Sequence, residues 1–321
     1  MTLATQSQPA TALGSESGKR RFKNNLATVL ITLSVLIALV PLVWVLWTVI
    51  SKGLSTIVSG SWWTSTMKGV TYTDPGGGAL AAIVGTLEQV GLCTLISVPI
   101  ALLVAVYLVE YGYGKRFARV TTFTVDILTG IPSIVAALFI FTLVVQATHA
   151  SSGYLVSLAL VILMVPVIVR TSEEMLRLVP NELREASFAL GIPKWRTIMR
   201  VVIPTAFTGI VTGVVLGVAR VAGETAPLLI LSGYSDSMNW NLFTGGFQGA
   251  LPTLIYDQFR NAGQVASGGG YHLDANGNRV AGSAVNYSVD RMWGAALTLI
   301  LIVLLLNVIA RLIGRFNKVA R

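Results

Sequence analysis

The sequence predicts an all-α protein that crosses a lipid bilayer about six times. Of its 321 residues, 54% are hydrophobic and 12% are charged, whereas charged residues make up about 25% of a typical soluble domain. The mean hydropathy of +0.72 agrees with a membrane protein. Most of the apolar stretches reach the roughly 20 residues that a helix needs to cross the hydrocarbon core. The six stretches are residues 26–50, 80–109, 120–145, 154–169, 203–231 and 292–313.

The chain before the first stretch predicts a disordered tail over residues 1–25. Residues 1–18 are rich in Ser, Thr, Ala and Gln without helical periodicity, and a basic cluster over residues 19–23 follows. The first stretch is too long for a cleaved signal peptide and lacks a convincing small-residue cleavage site. We therefore expect residues 26–50 to form a retained transmembrane helix.

The distribution of basic residues predicts that both termini lie in the cytoplasm. Most of the 23 Lys and Arg residues fall in segments on the same side as the N-terminus, so topology explains the net charge of +9 better than a nucleic-acid partner does. The basic residues on the opposite side are Lys52, Lys68, Arg260, Arg279 and Arg291. This topology makes residues 51–78 an external loop. Residues 79–316 then form the core, with a cytoplasmic loop at 172–202 and an external loop at 233–291, whose later part we expect to be flexible.

Several functional classes lack their motifs in this sequence. No Gly-x-x-x-x-Gly-Lys-Ser/Thr segment occurs, so the chain has no P-loop with which to bind ATP. The single cysteine, Cys93, lies in an apolar stretch and supports neither a disulfide framework nor a Cys-rich metal site. The two histidines, His149 and His272, are isolated in predicted loops. We therefore expect no catalytic residue, no metal site and no cofactor in this chain.

The polar loop between the fourth and fifth stretches is the most informative segment. It contains Glu185-Ala186-Ser187, a glycine at Gly191 and a proline at Pro204. Good helix formers over residues 182–190 predict a short helix that ends in a turn at Gly191. Such a helix, set across the inner ends of two spans, would move both when a bound partner moves. The alternative is an ordinary connector whose basic residues contact lipid headgroups.

Two charged residues interrupt the fifth apolar stretch. Arg220 and Glu224 are four residues apart, a spacing that places two side chains on one face of a helix. Each charge costs about 2.5–3.5 kcal/mol at mid-bilayer, so such residues usually face protein or a wet cavity. Gly223 and Pro227 permit a kink or an unwound turn. The two residues are either a self-neutralising ion pair or a site where the planar guanidinium binds an oxyanion.

Other polar residues also lie at membrane depth. Arg170 ends the fourth stretch, and is either a basic anchor or part of a substrate path. Glu88 and Asp126 are lone acids that could partner the arginines. The Gly-Ile-Pro-Ser segment ending at Ser133 should break the third span and expose a hydroxyl, either for a ligand or only as a packing kink. The candidate substrate path consists of Arg220, Glu224, Arg170, Thr225 and Ser133.

Residues 165–176, 185–204 and 219–228 together resemble the PstA family, the permease subunits of phosphate ABC importers. Shorter matching pieces extend the resemblance from about residue 70 to about residue 315. Many importers share the loop pattern, whereas the surroundings of Arg170 and of Arg220 are more particular to phosphate systems. The resemblance implies a MetI-like permease core of five helices and a role for both arginines in phosphate passage. It also implies an ATPase contact formed by Glu185, Ala186, Ser187, Gly191 and Pro204.

The resemblance further implies that the chain works with other subunits in the bacterial cytoplasmic (inner) membrane. These are a second, similar permease, two copies of an ATPase that bind ATP and magnesium, and an external phosphate-binding protein. The N-terminal tail and an insertion at residues 268–287 depart from the family pattern.

The function expected on these grounds is inward passage of inorganic phosphate by alternating access, driven by the separate ATPase. An importer permease for sulfate or molybdate is an alternative, because guanidinium alone does not choose among tetrahedral anions. A proton-coupled carrier could use Glu224, Glu88 or Asp126 as a relay. Such a carrier should show inverted repeats, and no convincing repeat relates the halves of this sequence. A scaffold without transport activity would leave the charges within the membrane unexplained.

Overall fold

The structure is a computed structural model that describes residues 18–148, 151–243, 246–267, 271–273, 279–281 and 287–316. The chain forms two units, residues 1–48 and 49–321. The first unit contains most of the first helix. The second contains the end of that helix and all the remaining elements, including the candidate site.

The described secondary structure is almost entirely helical. Two three-residue strands, β1 (Tyr271–Leu273) and β2 (Arg279–Ala281), pair antiparallel. Three π-helical segments, Tyr107–Tyr111, Phe141–Val145 and Ile198–Val202, are continuous with α-helices. The α-helices are α1 (Gly18–Ile57), α2 (Gly60–Thr64), α3 (Leu80–Val106), α4 (Arg116–Gly130), α5 (Ser133–Ile140), α6 (Gln146–Thr148), α7 (Gly153–Arg177), α8 (Asn181–Ala189), α9 (Lys194–Thr197), α10 (Ile203–Ala222), α11 (Ala226–Leu231), α12 (Leu251–Ser267) and α13 (Tyr287–Phe316).

The number of membrane spans agrees with the prediction. Five helical segments of the described chain are long and apolar enough to cross a membrane, and there are six when the bent pair α4–α5 is counted as one span. The pair bends by 105° between Gly130 and Ser133, as the Gly-Ile-Pro-Ser segment predicted. Pro132 has no backbone N–H and disfavours helical geometry at the preceding Ile131, which explains the break. The protein is therefore an all-α, multi-pass membrane protein.

The predicted disordered tail was wrong for residues 18–25, because α1 begins at Gly18. Residues 1–17 of that tail lie outside the described part of the chain. The basic cluster over residues 19–23 consists mainly of good helix formers, and residues 24–40 contain no proline or glycine that would stop the helix. At its other end α1 continues to Ile57, so the first part of the predicted loop at 51–78 is helical.

Two predicted loops contain more structure than expected. Residues 172–177 of the predicted cytoplasmic loop complete α7, whose extension into polar residues compensates for the short fourth apolar stretch. The external loop at 233–291 contains α12. The described residues of the predicted flexible insertion at 268–287 include the paired strands β1 and β2, and its remaining residues before Tyr287 lie outside the description.

The core is organised around α7, which packs against α3, α4, α5 and α10. Small residues allow α10 to approach α7 closely. A Cβ atom at Gly213 would lie 2.2 Å from Thr171 Oγ1, and one at Gly209 would lie 2.3 Å from Met175 Sδ. Glycines spaced by four residues commonly permit such contacts between membrane helices. The same contacts fix the register of the two antiparallel helices.

Candidate functional site

The connecting segment between α7 and α10, residues 178–202, has the predicted short helix and turn. Helix α8 is followed by Gly191 with a φ angle of 70°, a conformation that glycine adopts readily. Gly191 N donates to Phe188 O at 2.9 Å, and Ile192 N donates to Ser187 O at 3.2 Å. Both hydrogen bonds close the C-terminus of α8. The chain then reverses into α9 and the π-helical start of α10.

The residues predicted to contact an ATPase differ in accessibility. Glu185 and Ala186 are exposed on α8, as a docking surface requires. Ser187 is buried, and its Oγ lies 2.8 Å from Thr197 Oγ1, so its hydroxyl joins α8 to α9. Pro204 is half-buried in the first turn of α10, a position that suits proline. Ser187 and Pro204 therefore shape the segment.

Arg184 organises the connecting segment, and the sequence reasoning did not identify it. Its guanidinium donates to the carbonyl oxygen of Leu176, in the last turn of α7, and to that of Val179, two residues beyond α7. Its Nε also donates to Glu110 Oε1 at 3.1 Å, across to the π-helical segment that extends α3. The side chains of Arg184 and Glu110 are only 13% and 7% exposed. Partners 74 positions apart in sequence leave no local signal.

A second contact joins the connecting segment to the same part of α3. Lys194 Nζ, at the start of α9, donates to the Glu110 carbonyl oxygen. The Lys194 ammonium also lies 4.8 Å from the centroid of the Tyr111 ring, within cation–π range. Arg184 and Lys194 therefore hold one short π-helical segment from both helices of the connecting segment.

Arg170 lies within a network of charges. Its Nη1 donates to Glu173 Oε2 at 2.8 Å, and its Nη2 donates to the Thr122 carbonyl at 3.1 Å and to the Asp126 carboxylate. Glu173 also accepts a hydrogen bond from Arg177 at 2.8 Å. The prediction that a lone acid partners an arginine is confirmed for Asp126. In this conformation Asp126 and Glu173 both contact Arg170, and Glu173 is shared with Arg177.

Arg220 and Glu224 lie on either side of a helix end. Helix α10 ends at Ala222, so Glu224 is not on the same helix as Arg220, in contrast to the predicted shared face. Arg220 Nε lies 4.0 Å from Glu224 Oε1, at the limit of an ion pair. Gly223 caps α10, and Thr225 precedes α11. The predicted unwound turn is therefore present.

The two arginines lie at successive depths of the α7–α10 pair. Thr171, the neighbour of Arg170, is level with Gly213 of α10. Arg220 is seven residues beyond Gly213, which corresponds to about 10 Å along α10 at ~1.5 Å per residue. An anion that met both guanidinium groups would therefore meet them in succession along the helix axis.

The remaining candidates occupy separate places. Ser133 begins α5 just after the 105° bend, where it is half-buried. Glu88 accepts a hydrogen bond at 2.5 Å from Gln248 Nε2, instead of meeting an arginine as expected. Gln248 is buried, and its Oε1 accepts from Gln89 Nε2 at 2.9 Å. This amide pair holds the end of the loop after α11 against α3.

Charged residues also lie in the segments predicted to be external. Arg291, which is buried, donates to the carbonyl oxygens of Thr71 and Gly76 at 2.9 Å and to that of Asp74. A side-chain hydrogen bond from Thr71 lowers the pKa of Asp74.

In α12, burial raises the pKa of Asp257, and the nearby charge of Asp236 acts in the same direction.

Comparisons with known proteins agree on the type of protein. A model of the family described as "Binding-protein-dependent transport system inner membrane component" matches residues 97–318. The chain is 49% identical over 296 residues to phosphate transport system permease protein PstA 1 of Mycobacterium tuberculosis (strain CDC 1551 / Oshkosh), covering 92% of this chain and 90% of that protein. Phosphate transport system permease protein PstA of Mycobacterium leprae is 48% identical over 310 residues, covering 96% and 94%. That of Haemophilus influenzae is 37% identical over 299 residues, covering 93% and 96%.

Solved structures share the fold. An inward-facing MetNI methionine ABC transporter matches with a TM-score of 0.53 and 21% identity, over 74% of this chain and 94% of that chain. A bacterial alginate ABC transporter in complex with a pentasaccharide-bound periplasmic protein matches with a TM-score of 0.60 and 13% identity, over 96% and 100%. Because these sequence identities are low, the two matches show a shared fold alone. That fold agrees with the predicted MetI-like permease core.

Proposed function

The chain belongs to the PstA family of phosphate transport system permeases, within the binding-protein-dependent inner membrane components, and we propose that it carries inorganic phosphate inward by alternating access. It is the permease subunit of a phosphate ABC importer. The observation that carries this function is the 48–49% identity to two such permeases over about nine-tenths or more of each chain.

The two arginines are the proposed anion sites along the path. Guanidinium groups bind phosphate with paired donors, and successive weak sites allow an ion to enter and leave. Arg220 is 48% exposed and is opposed by one distant carboxylate, so it is the more accessible site in this conformation. Arg170 must release Asp126 before it can donate both of its terminal nitrogens to phosphate. Thr225 and Ser133 are proposed as hydroxyl donors along the same path.

A second permease is proposed to complete the path. The side chain of Asp126 is 59% exposed and that of Arg220 is 48% exposed, and both residues belong to helices that are long and apolar enough to cross a membrane, Asp126 as part of the bent pair. Charged groups in membrane proteins rarely face lipid, because their desolvation is costly. A homologous partner chain that encloses these groups in a water-filled path would avoid this cost.

The energy is proposed to come from an ATPase dimer that binds ATP and magnesium. The exposed residues Glu185 and Ala186 of α8 offer the contact surface, with Phe188 exposed beside them. The proposed ATPase contact requires the connecting segment to face the cytoplasm, and the distribution of basic residues supports the same side for both termini. An external phosphate-binding protein would deliver the substrate at the opposite face.

The proposal is tested by uptake of labelled phosphate into cells that lack this chain. We expect wild type to restore uptake, and both ATP depletion and Glu185→Lys to abolish it. Glu174→Lys, the same charge reversal at an exposed residue of α7, is the matched control and should retain uptake. Competition by sulfate and molybdate tests the oxyanion alternative. Uptake that survives ATP depletion and Glu185→Lys would instead support a proton-coupled carrier.

A further inference from the structure

The connecting segment is joined to α7 and α10 by the polypeptide chain, but to α3 only by side chains. Arg184 of α8 and Lys194 of α9 both reach the π-helical segment that extends α3. The polypeptide chain itself does not hold α8 and α9 against this segment, because Arg184 and Lys194 lie 74 and 84 residues away from Glu110 in sequence. The contact gives α3 a direct connection to the connecting segment, in addition to its packing against α7.

We propose that Arg184 and Glu110 form a clamp that makes α3 move with α8, so that ATPase-driven movement reaches α3 directly as well as α7 and α10. The inference rests on the proposed function and assigns positioning roles to two residues within it. Arg184 fixes α8 on the Leu176 carbonyl group in the last turn of α7 and connects it, through the Glu110 carboxylate, to the π-helical extension of α3.

Burial makes the clamp stiff. The charged groups are 13% and 7% exposed, and removing one partner of a buried ion pair leaves an uncompensated charge in a poorly solvated place. Separating Arg184 from Glu110 during each cycle would therefore be costly. Moving both together preserves the ion pair and its hydrogen bonds.

Packing around the clamp transmits the movement further. Ala105 of α3, Leu176 of α7 and Ala206 of α10 belong to one buried apolar cluster beside it. Densely packed cores shift as units and do not deform continuously.

The test measures phosphate imported per ATP hydrolysed by the complete transporter, with its ATPase, partner permease and binding protein, in proteoliposomes. We expect Glu110→Ala to assemble and to hydrolyse ATP within about twofold of wild type, while phosphate imported per ATP falls about tenfold, within the usual range of coupling between sites. Glu110→Gln keeps a hydrogen-bond acceptor in place and should lose much less. Arg116→Met, at an exposed arginine of α4, is the control and should behave as wild type.

Arg184→Met and the double variant Arg184→Met/Glu110→Ala test whether the two residues act through one contact. In that case the double variant should import no less phosphate per ATP than Arg184→Met alone. The clamp alone would be overturned if Glu110→Ala imported as much phosphate per ATP as wild type. It would also be overturned if the double variant lost phosphate import per ATP by the product of the two single-variant factors. Absence of ATP-driven uptake by the wild-type transporter would overturn the clamp and the proposed function together.

Discussion

Arg170 of α7 is paired with Asp126 of α4, the first half of the span that bends by 105°. The same guanidinium donates to Glu173, a carboxylate that Arg170 shares with Arg177, so two carboxylates contact Arg170. Arg220, about 10 Å further along the helix pair, has only Glu224 at 4.0 Å. The two arginines therefore differ in their availability to an anion, and movement of α4 would change that difference.

Asp126→Asn should make phosphate bind more tightly at Arg170. The variant removes one opposing charge but keeps a side chain of the same shape, while Glu173 still holds the guanidinium in place. We expect phosphate on the cytoplasmic side to inhibit uptake at about a tenfold lower concentration, corresponding to about 1.4 kcal/mol. The measurement is uptake into vesicles preloaded with increasing phosphate.

Asp126→Glu is the matched control, because it retains the negative charge and should keep wild-type inhibition within a few-fold. Equal inhibition of Asp126→Asn and wild type would show that phosphate does not compete with Asp126 for Arg170.

Arg220→Ala should abolish phosphate uptake while the subunit still inserts and assembles. Arg220 is half exposed and makes a long ion pair, so its removal leaves few contacts unsatisfied in this chain. Arg220→Lys keeps the charge but loses the planar fork of donors, and should retain partial uptake. Uptake is compared with the amount of assembled complex recovered from the membrane. Wild-type uptake by Arg220→Ala would exclude this residue from the path.

Local features of the fold were predictable because their causes lie within a few residues. The break at Pro132, the short helix α8 and the turn at Gly191 follow from backbone rules. The partners of Arg184 and Glu88 were not predictable, since they depend on which helices meet. Ser187 was predicted from a family pattern as a contact residue, but a pattern does not tell which face of a nine-residue helix is buried.

At the end of α10, one feature was predictable from the sequence and another was not. Gly223 and Pro227 predicted an unwound turn, and that turn is present. The same break moved Glu224 off the helix, so the face shared with Arg220 was not observed. The spacing of Gly209, Gly213 and Gly217 was a readable signal for close helix packing, and it also determines the relative depth of the two arginines.

Asp257→Asn should increase thermal stability at neutral pH. Burial raises the pKa of Asp257 above its ordinary value of 3.8, so the folded state binds the proton more tightly than the unfolded state. The wild-type carboxyl group therefore favours folding fully only below 3.8, and this advantage is lost as pH rises through the folded pKa. Asparagine can still accept the hydrogen bond from Asn261. The gain in melting temperature should shrink toward pH 3.8, and a gain independent of pH would contradict this explanation.

Gly213→Ala should weaken the contact between α7 and α10 although alanine is the better helix former. The added Cβ would lie 2.2 Å from Thr171 Oγ1 and 2.7 Å from Thr171 Cβ, the base of a branched side chain. Thr171 cannot move away easily, since its hydroxyl donates to Val167 O at 3.0 Å. Overpacking of this kind costs about 1–3 kcal/mol, which exceeds the gain of about 1 kcal/mol in helix propensity.

Gly91→Ala separates these two effects, because a Cβ at Gly91 of α3 would meet no heavy atom within 4 Å. We expect Gly91→Ala to leave the melting temperature of the purified subunit unchanged or slightly raised, while Gly213→Ala lowers it. The double variant Gly213→Ala/Thr171→Ala removes Thr171 Oγ1, which the added Cβ would otherwise approach to 2.2 Å, and should recover part of the loss. Equal melting temperatures for Gly213→Ala and Gly91→Ala would mean that α10 can move away from α7 at little cost, and the register that separates Arg170 from Arg220 would then not be fixed by this contact.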